Sequence, residues 1–254
     1  MSKLSTEPYK GVQDFYPEDM AVQNYIFGVW RKVSEKFDYV EYSASPLEPT
    51  ELYTEKSGDE IVNQQTFTFT DRGGRSVTLR PEMTPTLARM VAARRKSLKF
   101  PLRWYSIPNL FRYEKPQRGR RREHYQLNCD LLGLPGLEGD REMLSLAYAV
   151  MKEFGATDED FEIRINNADI EAFRDIAPNL VFDPELARGQ TYYTGMVFEI
   201  FDTNKDNPRA LAGGGRYDNL LELFDVEPVP AVGFGWGDIT MKDFLETHEL
   251  LPKN

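Results

Sequence analysis

The sequence predicts an α+β fold on an antiparallel β-sheet flanked by helices. Three observations carry this expectation: strand-like runs are joined by hairpin turns, single amphipathic helices interrupt them, and regular βαβ alternation is absent. At 254 residues the chain can bury a sizeable core, and it is read as one domain over 1–254.

The first helix is expected from Pro17. Proline at the first helical position loses no needed donor, and Glu18 and Asp19 meet the positive end of the helix dipole. Val22, Ile26, Val29, Val33 and Phe37 then recur at spacings of three and four and form one apolar stripe. The pattern breaks at Pro46 and Pro49. Residues 67–70 and 76–80, joined by Asp71-Arg72-Gly73-Gly74, read as a hairpin. Thr84 followed by Pro85 reads as a helix start, with the threonine oxygen as cap and the helix running to about Arg95. Residues 102–114 and 122–132 favour two strands of a longer hairpin. In the second, Tyr125, Leu127, Cys129 and Leu131 alternate with His124, Gln126, Asn128 and Asp130, so one face is apolar and the other polar. Such a polar face meets either water or a site. Met143, Ala147, Val150 and Phe154 mark another helix, closed by Gly155, and further strands are expected at 161–165, 196–201 and 209–212.

Composition narrows the function. No apolar run approaches the roughly 20 residues that span a bilayer, and the polar start lacks the apolar core of a secretory signal, so the expectation is a cytoplasmic protein with no membrane partner. A single cysteine, Cys129, excludes an intrachain disulfide. With only His124 and His248 beside it, no protein-bound structural metal is expected. A net charge of −10 argues against indiscriminate nucleic-acid binding, yet residues 112–122 read RYEKPQRGRRR, a basic run that is either a polyanion contact or a solvated loop.

Four segments resemble the histidyl-tRNA synthetases, in the family's order: LRPEMTPTLAR (79–89), FRYEKPQRGRRREHYQLNCDLLG (111–133), ARGQTYYTG (187–195) and AGGGRYDNL (212–220). KGVQDFYPEDM (10–20) and PAVGFGWGD (230–238) extend the likeness over almost the whole chain. The resemblance implies the class II aminoacyl-tRNA synthetase sheet and the activation of histidine with ATP, followed by transfer to tRNA(His). It implies ATP with Mg²⁺ as the substrate complex, a homodimer formed near Pro46, and contact with the acceptor end of the tRNA.

On that resemblance Arg112 and Arg188 lie on opposite sides of the ATP α-phosphate as the catalytic pair. Their planar forks suit bidentate oxygen binding, and in-line attack needs two anions held together. Glu82 matches the residue that takes the histidine α-ammonium group, with Thr84 beside it; Gln126, Asp130, Tyr192, Tyr193 and Tyr217 match the rest of the amino-acid pocket. Glu114 and Arg120, with Gln126, Arg112 and Arg188, match the ATP side. The glycines Gly213, Gly214 and Gly215 serve either a close backbone approach or a bare hairpin turn.

Three departures stand out. A short connector at about 166–181 replaces the inserted helical domain usual in the family, and no anticodon-binding domain follows the last motif. Gly237-Asp238-Ile239-Thr240 stands where many members carry G-x-E-R, so Thr240 replaces an arginine expected on ATP. Thr191 and Asp130 replace a common aspartate and glutamate. Two alternatives compete with the enzyme: a catalytically silent, histidine-sensing regulatory paralogue and an RNA-binding fragment. The retained Glu82, Arg112, Arg188, Tyr192 and Tyr193 favour the enzyme over the paralogue, and an RNA-binding fragment would show salt-sensitive RNA binding that survives Glu82→Ala.

Overall fold

The computed structural model of the chain describes residues 4–54, 65–189 and 191–252. Its centre is the ten-residue strand β7 (Glu123–Leu132). The alternation read in the sequence sets its two faces: Leu127, Cys129 and Leu131 are fully buried, whereas His124 and Gln126 face a cavity. The main sheet runs in the order β1 (Val40–Glu41), β5 (Leu102–Ser106), β7, β12 (Ala231–Gly237), β11 (Ala210–Arg216), β10 (Val197–Asp202), β8 (Phe161–Ile165) and β9 (Leu180–Phe182). The two outermost pairs are parallel and the intervening ones antiparallel.

The strand expected over 102–114 is broken in two. Pro108 cannot donate to a ladder, so β5 pairs with the far half of β7 while β6 (Asn109–Phe111) pairs with Glu123 to Tyr125; between them the Gln126 N–H donates to the Pro108 carbonyl at 3.1 Å. A second sheet, β2 (Leu47–Pro49), β4 (Ser76–Leu79) and β3 (Phe67–Thr70), contains the expected hairpin, whose turn is held by Asp71 Oδ1 accepting from the Gly73 N–H at 2.8 Å.

Helices α1 (Pro17–Lys36), α3 (Gly136–Glu153) and α4 (Asp238–Thr247) cover the apolar face of the main sheet. Their inward residues, among them Trp30, Val33, Ala147, Val150, Met241 and Phe244, meet Leu127, Cys129, Ile163 and Trp236 in one core. Burying one such large apolar side chain stabilises by about 1.5–3 kcal/mol. Gly155 closes α3 at φ +90°, as its place after the stripe predicts. Helix α2 (Thr84–Arg94) starts one residue earlier than expected: Met83 is the N-cap and no side chain caps it, because Thr84 instead lines a cavity. Among the described residues no helix is long and apolar enough to cross a membrane.

The connector after β8 holds one 3-10 turn, Ile170–Phe173, whose Phe173 is fully buried, and it leads directly into β9.

Candidate active site

The uncovered face of the main sheet carries two adjoining cavities. The larger, about 400 Å³, runs over β7, β10, β11, β12 and the start of α4, under the basic loop between β6 and β7. The smaller, about 60 Å³, lies against α2 and the segment before β10. Arg112, Gln126, Arg188, Gly213 and Gly235 line both and mark their junction.

Glycines clear this junction. Gly213 in β11 and Gly235 in β12 are register partners in the sheet. A Cβ on Gly213 would collide with the Arg188 guanidinium, and one on Gly235 would lie 2.7 Å from the Gln126 side-chain amide. The Gly213-Gly214-Gly215 run is therefore mid-strand backbone that makes room for side chains, and the bare-turn alternative is removed. Gly215 serves the same face, since a Cβ there would lie 2.9 Å from the Tyr193 ring, while one on Gly214 would meet the Gly233 carbonyl of the neighbouring strand.

Arg188 reaches this position through an ion pair with Glu199 of β10, Nη1 to Oε1 at 2.6 Å. Burial opposes its charge, but Tyr193, Glu199 and Tyr192 outweigh that and raise its pKa. Arg112 leaves β6 and is fixed by Nε donating to the Pro81 carbonyl at 2.9 Å. Two guanidinium groups from distant segments thus face one space.

The small cavity is lined by Glu82, Thr84, Gln126, Asn128, Tyr192, Tyr193 and Tyr217. Tyr192 Oη donates to Glu82 Oε2 at 3.0 Å, and Tyr192 packs edge-on against Tyr217 with ring centroids 5.8 Å apart. Asp130 does not line it. This residue is 3% exposed and sits behind Tyr217, whose hydroxyl donates to Oδ1 in a short hydrogen bond. Burial pushes the Asp130 carboxyl up to about 7, against the opposing effect of the Tyr217 hydrogen bond. Asp130 thus communicates with the cavity through the tyrosine hydroxyl. Gln190, inside the ARGQTYYTG signature, lies outside the described residues.

The large cavity carries Glu114, Arg120, Arg121, His124, Glu199, Arg209, Asp238 and Thr240 on its walls. Glu114 is buried and pairs with Arg120, Nε to Oε2 at 2.7 Å. Burial, with Arg112 and Arg120 nearby, pushes the His124 pKa down to about 3, so its ring is neutral at physiological pH. Asp238 opens α4, accepts from Gln23 Nε2 and from the Tyr125 N–H at 3.0 Å each, and is pushed up to about 6 by burial. Thr240 Oγ1 donates to the Leu211 and Gly237 carbonyls at 3.4 and 3.3 Å, so the position expected to hold a cation holds a hydroxyl turned to backbone.

Sequence reasoning passed over Glu199 and Arg209 as cavity residues, whereas Arg121 lies in the basic loop and Asn128 on the polar strand face that it had already assigned to the site. Glu199 had a signal: it is the lone charged residue among four apolar neighbours in VFEIF, on the alternation of β10. Arg209 had none, since an arginine after a proline at the start of an expected strand is unremarkable. Arg216 of the GGRYD motif proves structural: it pairs with Asp140 of α3 at 2.6 Å and donates to the Gly136 carbonyl at 2.9 Å.

A largely antiparallel sheet with helices on one face, and on the other two arginines at the mouth of a carboxylate-bearing pocket, is the architecture of a class II aminoacyl-tRNA synthetase. The histidyl-tRNA synthetase family model matches residues 11–177 and 167–237, two segments that meet in the connector. The histidine–tRNA ligase of Leptospira biflexa serovar Patoc is 38% identical over 333 aligned positions, covering 98% of this chain and 76% of that protein. The Thermoplasma volcanium ligase is 34% identical, over 96% of this chain and 76% of its own length. Both alignments are longer than this chain, so both relatives carry residues it lacks. Apo S. aureus histidyl-tRNA synthetase superposes with a TM-score of 0.81 at 27% identity, covering all of this chain and 72% of that one. A Bacillus halodurans protein described as an ATP phosphoribosyltransferase regulatory subunit/histidyl-tRNA synthetase shares the fold, with a TM-score of 0.81, 22% identity and 85% of its length covered. The chain belongs to the histidyl-tRNA synthetase family.

Proposed function

We propose that this chain activates histidine with ATP and transfers the histidyl group to tRNA(His). The observation that carries this reading is the shared wall: Arg112 and Arg188 border both a small pocket holding a carboxylate and a cavity large enough for a nucleotide. Histidine enters the small pocket with its α-ammonium group on Glu82 beside Thr84 and Tyr192. Its imidazole lies among Tyr193, Tyr217 and Gln126, with Asp130 acting through Tyr217. About 10–15 Å³ of free space is needed per water, so even the unexpanded small pocket admits part of a ring.

ATP lies in the large cavity, its α-phosphate between Arg112 and Arg188. A histidine carboxylate oxygen bonds to the α-phosphorus in line, the bond from that phosphorus to the bridging oxygen breaks, and pyrophosphate leaves with the bond's electrons. The guanidinium groups are already in place for the charge on the equatorial oxygens, so little reorganisation is required during reaction. Glu114 and Glu199 on the cavity wall are hard oxygen donors of the kind Mg²⁺ takes beside phosphates, where it would offset their charge. The 3′-terminal ribose hydroxyl of the tRNA then attacks the adenylate carbonyl and AMP leaves, with Arg118 to Arg122 facing the acceptor end. The chain acts as one catalytic domain, and its short connector in place of an inserted domain reduces tRNA transfer more than adenylate formation. A homodimer through the region of Pro46 fits the exposed Leu47 on β2.

Histidine-dependent exchange between ATP and pyrophosphate tests this directly. The enzyme reading expects exchange with histidine over other amino acids, abolished in Glu82→Ala at unchanged melting temperature. Histidine binding without exchange in well-folded protein would instead establish the regulatory reading suggested by the Bacillus halodurans neighbour.

A further inference from the structure

ATP brings about four negative charges, and the two arginines at the junction meet those on the α-phosphate. The remaining charge must be met elsewhere on the large cavity. Arg120 is engaged by Glu114, Arg121 lies beside the Asp238 and Asp243 carboxylates, and Thr240 offers no cation. Arg209 is placed differently. Among the described residues it has no carboxylate within ion-pair distance; its hydrogen bond is from Nε to the Arg118 carbonyl at 3.2 Å, which leaves both terminal nitrogens of the guanidinium available. It lines the large cavity and an adjoining one of about 320 Å³, together with Gly119, Pro208, Leu211 and Thr240. None of those five residues lines the small pocket, so Arg209 stands on a different flank from the junction.

Its stem is seated by construction. Gly119 adopts φ +70°, and a Cβ there would lie 2.8 Å from Arg209 Cδ and 3.4 Å from Thr240 Cγ2. The bare glycine lets the arginine stem pass under the basic loop and puts its base beside Thr240. Two ties fix the approach: Arg118 Nη2 donates to Asn207 Oδ1 at 2.9 Å while Arg209 holds the Arg118 carbonyl. Asn207 is itself anchored, Nδ2 donating to Asp202 Oδ2 at 2.7 Å and to Thr247 Oγ1 at 3.0 Å. Burial and the nearby Arg120 also lower the Arg209 pKa, a cation crowded in a way that a bound polyanion would relieve.

We infer that Arg209 is a further nucleotide arginine of this chain, holding the terminal phosphates of ATP at the position where Thr240 supplies no charge. The inference rests on the ATP reading above, and equilibrium binding of ATP and AMP to wild type and Arg209→Ala separates the two. A charged hydrogen-bonding partner is worth about 1.5–3 kcal/mol, so Arg209→Ala should weaken ATP roughly 10- to 150-fold. AMP, which lacks the terminal phosphates, should bind as before. Arg209→Lys should fall between, and Thr240→Arg in the Arg209→Ala background should recover most of the ATP affinity by returning a cation from the neighbouring stem. Unchanged ATP binding in Arg209→Ala, or equal weakening of ATP and AMP, overturns the assignment. Selective ATP weakening in a protein that shows no amino-acid-dependent exchange retains Arg209 and removes the activation reading; exchange with an unaltered KM for ATP in Arg209→Ala does the reverse.

Discussion

At the small pocket the polar side chains are locked to buried neighbours: Tyr192 to Glu82, Tyr217 to Asp130, and Arg188 to Glu199 at its mouth. At the far flank of the large cavity the cations stand on a loop and a strand end, held largely through backbone carbonyls and one asparagine. A buried, interlocked pocket has its geometry fixed before ligand arrives, so a change there removes transition-state positioning along with any contact. A charge on a loop acts mainly by binding. Substitutions at the first region should therefore lower kcat or raise KM for histidine, and those at the second should raise KM for ATP.

The largest effect is expected at Gly213. Gly213→Ala changes no charge, yet its methyl group would occupy the space of the Arg188 guanidinium. Exchange should fall by about 10² to 10³ in kcat, as in Arg188→Ala, since preorganised charge stabilisation is commonly worth that much. Glu199→Gln, which keeps the shape but loosens the pair, should fall less. A Gly213→Ala enzyme with wild-type kcat would break the comparison at its stronger end.

Next in size is the Tyr217 and Asp130 pair. Tyr217→Phe removes the hydroxyl through which Asp130 reaches the pocket, and KM for histidine should rise on the order of tenfold, the cost of one buried hydrogen bond to a charged group. KM for ATP should not move. The pair also makes stability depend on pH. Burial raises the Asp130 carboxyl from its ordinary 3.8 to about 7, so between those values the folded protein binds a proton that the unfolded chain has lost. Stability contributed through Asp130 therefore falls as pH rises through that window and levels off above it. Asp130→Asn removes the titration, and its melting temperature relative to wild type should climb from pH 5 to pH 8. A flat difference would mean that Asp130 stays charged throughout.

Both ends of the site were unequally visible in the sequence. The β7 alternation predicted which side chains face the site, because a buried strand with one polar face leaves a period of two that survives any context. The interlocked residues other than Glu199 fall inside the quoted motifs. Strand β12 was not recognised as a strand, since three glycines in seven residues mask β propensity, although those glycines are what clear the cavity floor. Asp130 was placed on the pocket wall because periodicity gives a face but not a depth. Its shorter side chain stops behind Tyr217, a fact of packing between strands far apart in sequence. Arg209 was missed because its position depends on the glycine and carbonyl of another loop.

A smaller effect is expected at Glu114. Glu114→Gln releases Arg120, which is 41% exposed and so pairs in a partly screened setting. Exposed ion pairs contribute about 0–1 kcal/mol, and KM for ATP should change no more than about fivefold in either direction. Raising salt should shrink the difference. A loss comparable to Gly213→Ala would show that this pair belongs with the interlocked region.

The smallest effect should come from Arg118→Ala, and it sharpens the contrast because only one of the loop's two ties is lost. The Arg118 side chain donates to Asn207, while its backbone carbonyl, which accepts from Arg209, survives the substitution. Asn207 also keeps its bonds to Asp202 and Thr247, so the platform beneath Arg209 stays seated. One partly buried hydrogen bond of this kind contributes about 1 kcal/mol, which corresponds to a melting shift of roughly 2–4 °C in a chain of this size and a rise in KM for ATP of about fivefold. If Arg118→Ala instead matches Arg209→Ala in its effect on ATP, the loop's order rather than the Arg209 charge limits nucleotide binding. The flank would then be as preorganised as the histidine pocket, and the difference between the two regions would disappear.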